Sequence, residues 1–148
     1  MNRTKKVQTL YLIRHAETTY DGKYIGTTNC PLSRKGLKQA HRLGKRFQSV
    51  DIDYCFVSPL KRARQTAGFI LGKRTVPRLH HTLLREIDFG LWEGHVYRAA
   101  HRKWPRVFTH WDKSPHKVHF PRGESFGGFW KRVNRFSRSL MKRKEDTV

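Results

Sequence analysis

An arginine–histidine pair ends the first apolar run of this 148-residue chain, in the segment "LYLIRHAETTY" at residues 10–20. A buried strand normally passes into a turn of Gly, Pro, Asn or Asp, so charged groups at its carboxyl end need another reason. An arginine guanidinium can bind a phosphate group through two parallel hydrogen bonds. A neutral histidine beside it, oriented by a backbone hydrogen bond, can attack phosphorus. Arg14 and His15 are therefore candidates for phosphate binding and nucleophilic attack.

Two further candidates follow later predicted elements. Arg62 comes after the dipeptide "SP" at residues 58–59, and Glu86 lies in the turn-rich segment "REIDFGLWEGH". Two arginines from different loops can clamp a phosphate without a metal. A glutamic acid kept protonated by a partly apolar, closed site can donate a proton to the leaving alkoxide. The apolar wall of that site is expected to come from Phe89, Leu91 and Trp92.

Each of these candidates also has a purely structural interpretation. His15 can be an exposed histidine at the end of a strand, and Arg62 can be a solvated helix charge among other basic residues. Glu86 can be an ion-pair partner of Arg85 or Arg98. Arginine and histidine are abundant in this chain, so spacing alone leaves both interpretations open.

The elements that must position these groups alternate between strand and helix. Apolar runs predict a buried strand over residues 7–13, a second over 53–58 and a weaker third over 75–79. Helical spacing predicts helices over 33–48, with Ser33 as N-cap, and over 59–72, with Pro59 in the first turn. This order is typical of an α/β fold with a parallel sheet. In such sheets the loops at the carboxyl ends of the strands converge on the ligand.

The second half of the chain is less regular. It predicts a short basic helix over residues 96–104, an aromatic loop containing prolines up to residue 122, and an amphipathic helix over 124–141. The apolar stripe of this last helix predicts core packing and consists of Phe126, Phe129, Trp130, Val133, Phe136 and Leu140. The pocket wall is expected from residues 96–122. This segment contains the large aromatic residues Trp104, Trp111 and Phe120. They can either stack on a substrate ring or pack in the core.

Lysine and arginine greatly outnumber the acidic residues, at 32 against 11, for a formal net charge of +21. This excess predicts an anionic partner. The basic residues are interleaved with apolar ones at helical spacing, which favours a basic surface on a folded domain over a nucleic-acid-binding tail. Nucleic acid binding is a less favoured alternative.

The length of the chain and the absence of a repeat or composition shift predict one domain over residues 1–148, and the cysteine content predicts a reducing compartment, the cytoplasm. Cys30 and Cys55 form no CxxC pair, so neither a zinc site nor a disulfide framework is indicated. His80 and His81 lack the spacing of a zinc-binding helix. No segment resembles a signal peptide or reaches transmembrane length, so no membrane partner is expected. Nothing in the sequence indicates the oligomeric state.

Five motifs resemble, in order, those of the histidine phosphatase (phosphoglycerate-mutase-like) superfamily. They cover nearly the whole chain and read "RHAET" at 14–18, "DGKYIGTTNCPLSRKG" at 21–36, "SPLKRARQTA" at 58–67, "REIDFGLWEG" at 85–94 and "PRGESF" at 121–126. Within the superfamily, the compact DGxYxG loop is most similar to that of the alpha-ribazole phosphatases.

The resemblance implies a three-layer α/β/α fold with a mainly parallel sheet. It also implies a metal-independent phosphomonoesterase without a cofactor, acting on a small phosphorylated metabolite such as the alpha-ribazole 5'-phosphate of cobalamin biosynthesis. His15 would become phosphohistidine, Arg14 and Arg62 would hold the phosphate, and Glu86 would be the proton donor.

The chain departs from the family pattern at two places. Ala16 stands where glycine usually follows the histidine, a change that a negative φ tolerates. The family's later strand, which ends in Ser-His-Gly and supplies a second pocket histidine, has no counterpart, so the last strand and helix are expected to be missing. Three other histidines, His110, His116 and His119, are candidates to take the place of the second pocket histidine, but this alternative is not favoured. The alternatives are an impaired or inactive phosphate- or polyanion-binding pseudophosphatase and a phosphoglycerate mutase.

Overall fold

The computed structural model describes residues 9–143 and 147–148. Within them the chain forms α1 (Arg34–Arg46), β1 (Cys55–Val57), α2 (Lys61–Leu71), β2 (Arg78–His80), α3 (Tyr97–Lys103), α4 (Pro105–Lys113) and α5 (Phe126–Leu140). Single turns of 3₁₀ helix lie at Thr82–Leu84, Gly90–Trp92 and Pro115–Lys117. None of the helices described is long and apolar enough to cross a membrane.

Helix α1 begins where the sequence predicts, because Ser33 caps it. The Ser33 hydroxyl accepts a hydrogen bond from the Gly36 amide at 2.9 Å, satisfying an amide that has no partner within the helix. Ala40 and Gly44 are buried where α1 packs on α2. A side chain at position 44 would stand 2.2 Å from the carbonyl oxygen of Phe69, so the two helices need glycine there to pack this closely.

Strand β1 pairs with β2 in parallel and leads into α2. The register places Phe56 opposite Leu79, and α2 ends at Gly72, whose φ is +58°. The predicted strands at 53–58 and 75–79 and the helix at 59–72 are therefore confirmed. The first strand and the helix are shorter than predicted, and the second strand begins later and ends one residue later, at His80. Pro59 lies before the helix rather than in its first turn, because Leu60 is the N-cap.

Helices cover both faces of this small sheet, as the α/β prediction requires. Successive side chains of a strand point to opposite faces of the sheet, so Phe56 lies on one face and Val57 on the other. The ring of Phe56 packs edge-on against that of Phe136 of α5, at 5.3 Å, while α1 and α2 pack together and α2 contacts β1. The two described strands thus lie between a pair of helices and α5.

The predicted buried strand at residues 7–13 is wrong for its described part. Residues 9–13 make one isolated parallel bridge, between Thr9 and Thr147, and no continuous ladder. Leu12 is 85% exposed and Ile13 is 40% exposed. No described strand pairs with these two residues, which leaves their side chains uncovered. Residues 7 and 8 lie outside the described residues.

Thr147 and Val148 lie between this first segment and the segment that leads into β1. The Tyr11 amide donates to the Val148 carbonyl at 2.8 Å, and the Val148 amide donates to the Thr9 carbonyl at 3.0 Å. On the other side, the Thr147 carbonyl accepts from the amides of residues 53 and 54, at 3.1 and 3.3 Å. Main-chain hydrogen bonds therefore join residues 9–11 to 53–54 through residues 147–148.

The predicted aromatic loop up to residue 122 is wrong in part, because it contains α4. Pro105 is the first residue of this helix, the position where proline costs no hydrogen bond. Phe108 of α4 stacks on Trp92, with ring centroids 4.2 Å apart. The buried residues of this aromatic core are Ile87, Trp92, Ala100, Phe108, Val118 and Phe120. Trp104 and Trp111 pack against it, which confirms core packing for the aromatic residues of this region.

Helix α5 confirms the predicted amphipathic helix. Ser125 caps it by accepting a hydrogen bond from the Gly128 amide at 3.0 Å. Phe136 and Leu140 of its apolar stripe are buried, whereas Trp130 is 58% exposed and therefore lies outside the core.

Two glycines in neighbouring helices predict opposite effects of alanine. Gly44→Ala places a methyl group against the Phe69 carbonyl, so we expect about 1 to 3 kcal/mol of destabilisation. Gly68→Ala meets no atom within 4 Å and removes a flexible helix residue, so we expect a gain of about 0.5 to 1 kcal/mol. Urea unfolding of both variants measures the difference. Equal effects would contradict the close packing of α1 on α2.

Candidate functional site

A cavity of about 400 Å³ lies between the first segment, β1, α2 and α5. Its lining includes all four residues that the sequence predicts for the site, namely Arg14, His15, Arg62 and Glu86. These four residues lie up to 72 positions apart in the sequence, from residue 14 to residue 86. The remaining wall is mostly apolar and includes Leu83, Phe129 and Val133.

His15 is half-buried and has one ring nitrogen fixed by the backbone. Its Nδ1 lies 2.8 Å from the carbonyl oxygen of Ala16. A carbonyl oxygen can only accept a hydrogen bond, so Nδ1 carries the proton and Nε2 keeps its lone pair. Ala16 does not adopt a positive φ, which explains why alanine is accepted after the histidine.

The surroundings of His15 favour its neutral ring. Burial lowers the pKa of His15 below 6.5, and the positive charges of Arg62 and Arg14 lower it further. The hydrogen bond with Ala16 and the negative charge of Glu86 oppose this effect without overcoming it. Arg14, Arg62 and Glu86 line the same cavity as this ring.

Thr66, which the sequence analysis did not single out, links His15 to α2. The Ala16 amide donates to the Thr66 hydroxyl at 3.2 Å, and that hydroxyl donates to the Arg62 carbonyl at 2.8 Å. Thr66 is buried. The backbone that carries the histidine is therefore tied to the helix turn that carries the arginine.

Arg62 is a buried cation with a fixed orientation. Its side chain is 1% exposed, which contradicts the interpretation as a solvated helix charge. Nη2 donates to the Gly26 carbonyl at 2.7 Å and Nη1 donates to the Thr28 carbonyl at 2.9 Å, with a long contact of 4.0 Å to the Cys30 sulfur. These contacts use at most three of the five N–H groups of a guanidinium. At least two donors are left for a ligand in the cavity.

Glu93, a second residue that the sequence analysis passed over, holds the loop on which Arg62 rests. Its Oε1 accepts from the amides of Gly26 and Thr27 at 2.9 and 2.8 Å, and Oε2 accepts from the Thr28 amide at 3.2 Å. The carboxylate thus binds the N–H groups of the loop whose carbonyls bind Arg62. A side chain at position 26 would lie 1.8 Å from the Ile87 carbonyl oxygen, so this loop also depends on glycine.

Arg132 and Glu124 fix the segment that carries Glu86. Arg132 Nε and Nη2 donate to the two carboxylate oxygens of Glu124, at 2.7 and 2.8 Å. The same guanidinium donates to the carbonyls of Leu83, Arg85 and Glu86, at 2.8, 2.6 and 3.0 Å. Hydrogen bonds from Arg132 lower the pKa of Glu124, so the pair is ionised at neutral pH. Neither residue's role could be read from the sequence, because the four residues that Arg132 binds are spread over residues 83–124.

Glu86 lines the cavity but is exposed, which differs from the expected closed, apolar setting. Its Oε1 accepts from the Ile87 amide at 2.9 Å. The expected wall residues lie elsewhere: Phe89 packs on the aromatic core, Leu91 is 41% exposed and Trp92 is buried in that core. Leu83 and Leu84 line the cavity near Glu86 instead. Within residues 9–143 and 147–148, Glu86 forms no ion pair with either suggested arginine.

Arg14 is exposed at the mouth of the cavity and makes no hydrogen bond to any described residue. Its guanidinium is therefore available to a ligand.

The expected pocket wall from residues 96–122 is wrong, since no residue of this segment lines the cavity. The three histidines considered as substitutes, His110, His116 and His119, belong to that segment and are absent from the lining as well.

Together these groups have the chemistry that an oxyanion site beside a neutral imidazole requires. Two guanidinium groups supply positive charge and unused N–H donors, His15 supplies a lone pair on Nε2, and Glu86 supplies a carboxyl group at the same cavity. In the part of the chain that the structure describes, no group of three or more potential ligands could hold a metal ion.

The family model described as the histidine phosphatase superfamily, branch 1, matches residues 10–148. The chain belongs to the histidine phosphatase superfamily. The resemblance predicted from the five sequence motifs is therefore confirmed. The match includes every element that surrounds the cavity, from the first segment to residues 147–148.

Curated relatives include enzymes with different named substrates. The chain is 35% identical over 136 residues to phosphoserine phosphatase 1 of Hydrogenobacter thermophilus, covering 90% of this chain and 64% of the relative. It is 34% identical over 129 residues to the adenosylcobalamin/alpha-ribazole phosphatase of Escherichia coli, covering 86% of this chain and 64% of that enzyme. The chain thus spans less than two thirds of the length of either relative.

Solved structures confirm the predicted α/β fold. Bacillus stearothermophilus YhfR superposes with a TM-score of 0.85 at 34% sequence identity, over 95% of this chain and 71% of that chain. The fold of the superfamily is therefore present in the described elements, including those that position the four site residues.

Replacing Arg132 tests how the Glu86 segment is held. Arg132→Met removes hydrogen bonds to three carbonyls and leaves the Glu124 carboxylate without its cation, so we expect the free energy of unfolding to fall by about 2 to 3 kcal/mol. Arg135→Met, on the same helix but exposed, should change it by less than about 0.5 kcal/mol. Urea unfolding at pH 7 measures both variants.

The same ion pair predicts a pH dependence of known sign. Because the pKa of Glu124 is lowered from 4.5 on folding, its contribution is complete above pH 4.5 and is lost as the pH falls toward the folded value. The stability difference between the parent and Glu124→Gln should therefore be constant from pH 6 to 8, as a rough range, and shrink below 4.5. A difference that grows on acidification would contradict this assignment.

Proposed function

We propose that this protein is a metal-independent phosphomonoesterase that forms phosphohistidine on His15. The observation that carries the proposal is the His15 ring, with Nδ1 held by the Ala16 carbonyl and Nε2 free, in a cavity shared with Arg14, Arg62 and Glu86. Family membership supports it, and so do the names of relatives, which are phosphatases.

In the first step the Nε2 lone pair of His15 attacks phosphorus and the bond from phosphorus to the ester oxygen breaks. Arg14 and Arg62 bind the non-bridging oxygens, whose charge they stabilise through hydrogen bonds. Glu86 donates its proton to the departing oxygen, so the product leaves as an alcohol. The anionic phosphate next to Glu86 favours the uncharged carboxyl needed for this transfer.

In the second step water attacks the phosphohistidine. Glu86, now a carboxylate, accepts a proton from that water, the N–P bond breaks, and phosphate leaves while His15 regains its lone pair. The neutral ring required at the start is favoured by burial and by the two arginines. Each residue returns to its initial protonation state.

The substrate we propose is a small phosphomonoester with an apolar organic group, such as alpha-ribazole 5'-phosphate. The leaving group would lie against Leu83, Phe129 and Val133, which provide an apolar wall and no paired charges for an amino acid. This supports an alpha-ribazole-like ester over phosphoserine, although relatives carry both names. We propose the cytoplasm as its location, where such metabolites occur.

Replacing His15 tests the covalent step. Wild-type protein mixed with ³²P-labelled p-nitrophenyl phosphate and quenched should carry an alkali-stable, acid-labile label, and His15→Ala should carry none. His116→Ala, an exposed histidine outside the cavity, should label as the parent does. Vanadate should prevent labelling and EDTA should not. Vanadate binding without any label would overturn catalysis and identify an inactive phosphate-binding protein.

The ionisation of His15 can be followed separately by NMR. We expect its ring to titrate with a midpoint below 6.5, because burial and two arginines oppose protonation, and its Nδ1 to carry the proton in the neutral form. Long-range ¹H–¹⁵N correlation spectra report both properties. A midpoint above 6.5, or a proton on Nε2, would be incompatible with the nucleophile described above.

Replacing Glu86 tests the proton donor. Glu86→Gln cannot protonate the leaving oxygen, so hydrolysis of an alkyl phosphate should fall by about 10²- to 10⁴-fold. p-Nitrophenolate leaves without a proton, so the formation of phosphohistidine from its ester should change much less. Single-turnover rates with both substrates separate these effects. Equal losses for the two esters would show that Glu86 acts in some other way.

A further inference from the structure

A row of four cations lies on the outward face of α5 and in the turn that follows it. Lys131, Arg135, Arg138 and Lys142, named here the basic face, follow one another at intervals of four, three and four residues and are all exposed. At a rise of about 1.5 Å per residue, the three cations on the helix extend over about 10 Å, and Lys142 follows in the turn after Leu140. Together with Trp130 and Asn134 they line a shallow groove.

This groove is separate from the phosphate cavity. The α5 side chains that line the cavity are Phe129, Val133, Phe136 and Leu140, which follow the opposite face of the helix. A ligand in the groove would therefore not compete with phosphate at His15, and the groove has no part in the chemistry proposed above.

No acidic residue neutralises the basic face within the described part of the chain. Helix α5 itself contains no Asp or Glu, and the ion pairs described are Lys35 with Glu17 and Arg132 with Glu124. Like charges spaced three or four residues apart on a helix repel each other and destabilise it. Folding alone does not favour this arrangement, whereas an anionic ligand along the groove would.

Trp130 adds an aromatic surface to this row of charges. Its side chain is 58% exposed, and no described ring or cation stacks on it. Asn134 donates from Nδ2 to the Trp130 carbonyl, which leaves the amide oxygen of Asn134 as an acceptor at the groove. Positive charges that follow a backbone, combined with an aromatic ring on which a base can stack, are typical of single-strand binding surfaces.

We propose that the basic face and Trp130 bind single-stranded nucleic acid. The four cations contact successive phosphates and the indole ring stacks on one base. A membrane surface fits less well, because Trp130 and Met141 are the exposed large apolar residues of this helix region and lie eleven residues apart with polar groups between them. The proposal concerns binding only and is independent of phosphatase activity.

The test uses the 148-residue chain and a fluorescein-labelled twelve-nucleotide oligouridine, a probe of about the site size of such surfaces. Fluorescence anisotropy at several NaCl concentrations gives the affinity and its salt dependence. Each phosphate contacted in a single strand contributes about −0.7 to the slope of log K against log salt concentration, so four contacts give about −3. Saturating vanadate should leave the affinity unchanged.

Two quadruple variants with equal loss of charge locate the binding surface. Replacing all four cations of the basic face by glutamine should weaken binding strongly and reduce the slope toward zero. The control replaces four exposed cations of α1 by glutamine, namely Lys38, Arg42, Lys45 and Arg46. If the two variants lose affinity equally, the binding reflects only the net charge of the chain and the proposal is overturned.

Replacing Trp130 separates the contribution of base stacking from that of charge. Trp130→Ala should lower the affinity about tenfold without changing the salt slope, because it removes a base contact and no phosphate contact. An unchanged affinity would exclude stacking. Tighter binding to phosphatidylserine vesicles than to the oligonucleotide, with the same dependence on Trp130, would assign the face to a membrane and overturn the proposal.

Discussion

A buried guanidinium group is the constraint on which the arrangement of the site depends. Arg62 is almost completely removed from water, and a buried charge is tolerated only when its hydrogen-bonding groups are satisfied. The carbonyls of Gly26 and Thr28 each accept one of its N–H groups, and Glu93 holds the amides of the same loop. The loop therefore links a cation and an anion that do not touch each other, and it keeps the cation at the wall of the cavity.

A second linkage of the same kind holds the opposite wall. Arg132 binds the carbonyls of Leu83, Arg85 and Glu86 and is itself paired with Glu124. In both places an arginine binds backbone carbonyls. A glutamate then binds either the amides of the same loop, as Glu93 does, or the arginine itself, as Glu124 does. Regular secondary structure is short in this chain, with strands of three residues, so these side-chain contacts position the loops of the site.

The elements that could be predicted are those with a local signal. Ser33 and Ser125 each accept a hydrogen bond from an amide three residues later, so the starts of α1 and α5 follow from neighbouring residues. Helix α4 was missed because its short apolar pattern fits a loop equally well until Phe108 stacks on Trp92. The first segment was predicted as buried from its composition, but burial requires a neighbouring strand, which Leu12 and Ile13 lack among the described residues.

The sequence by itself determined the family, the α/β class and the identity of the four residues at the cavity, because each motif is carried by residues close together in the chain. Only the tertiary structure decided how those residues are held. Glu93 reaches residues 26–28, and Arg132 reaches residues 83–86. Thr66 binds the neighbour of His15 across 50 positions and also binds the Arg62 carbonyl. It also decided that Glu86 is exposed and that the aromatic residues of 96–122 form a core. Such contacts depend on how separate segments pack, and no local spacing encodes them.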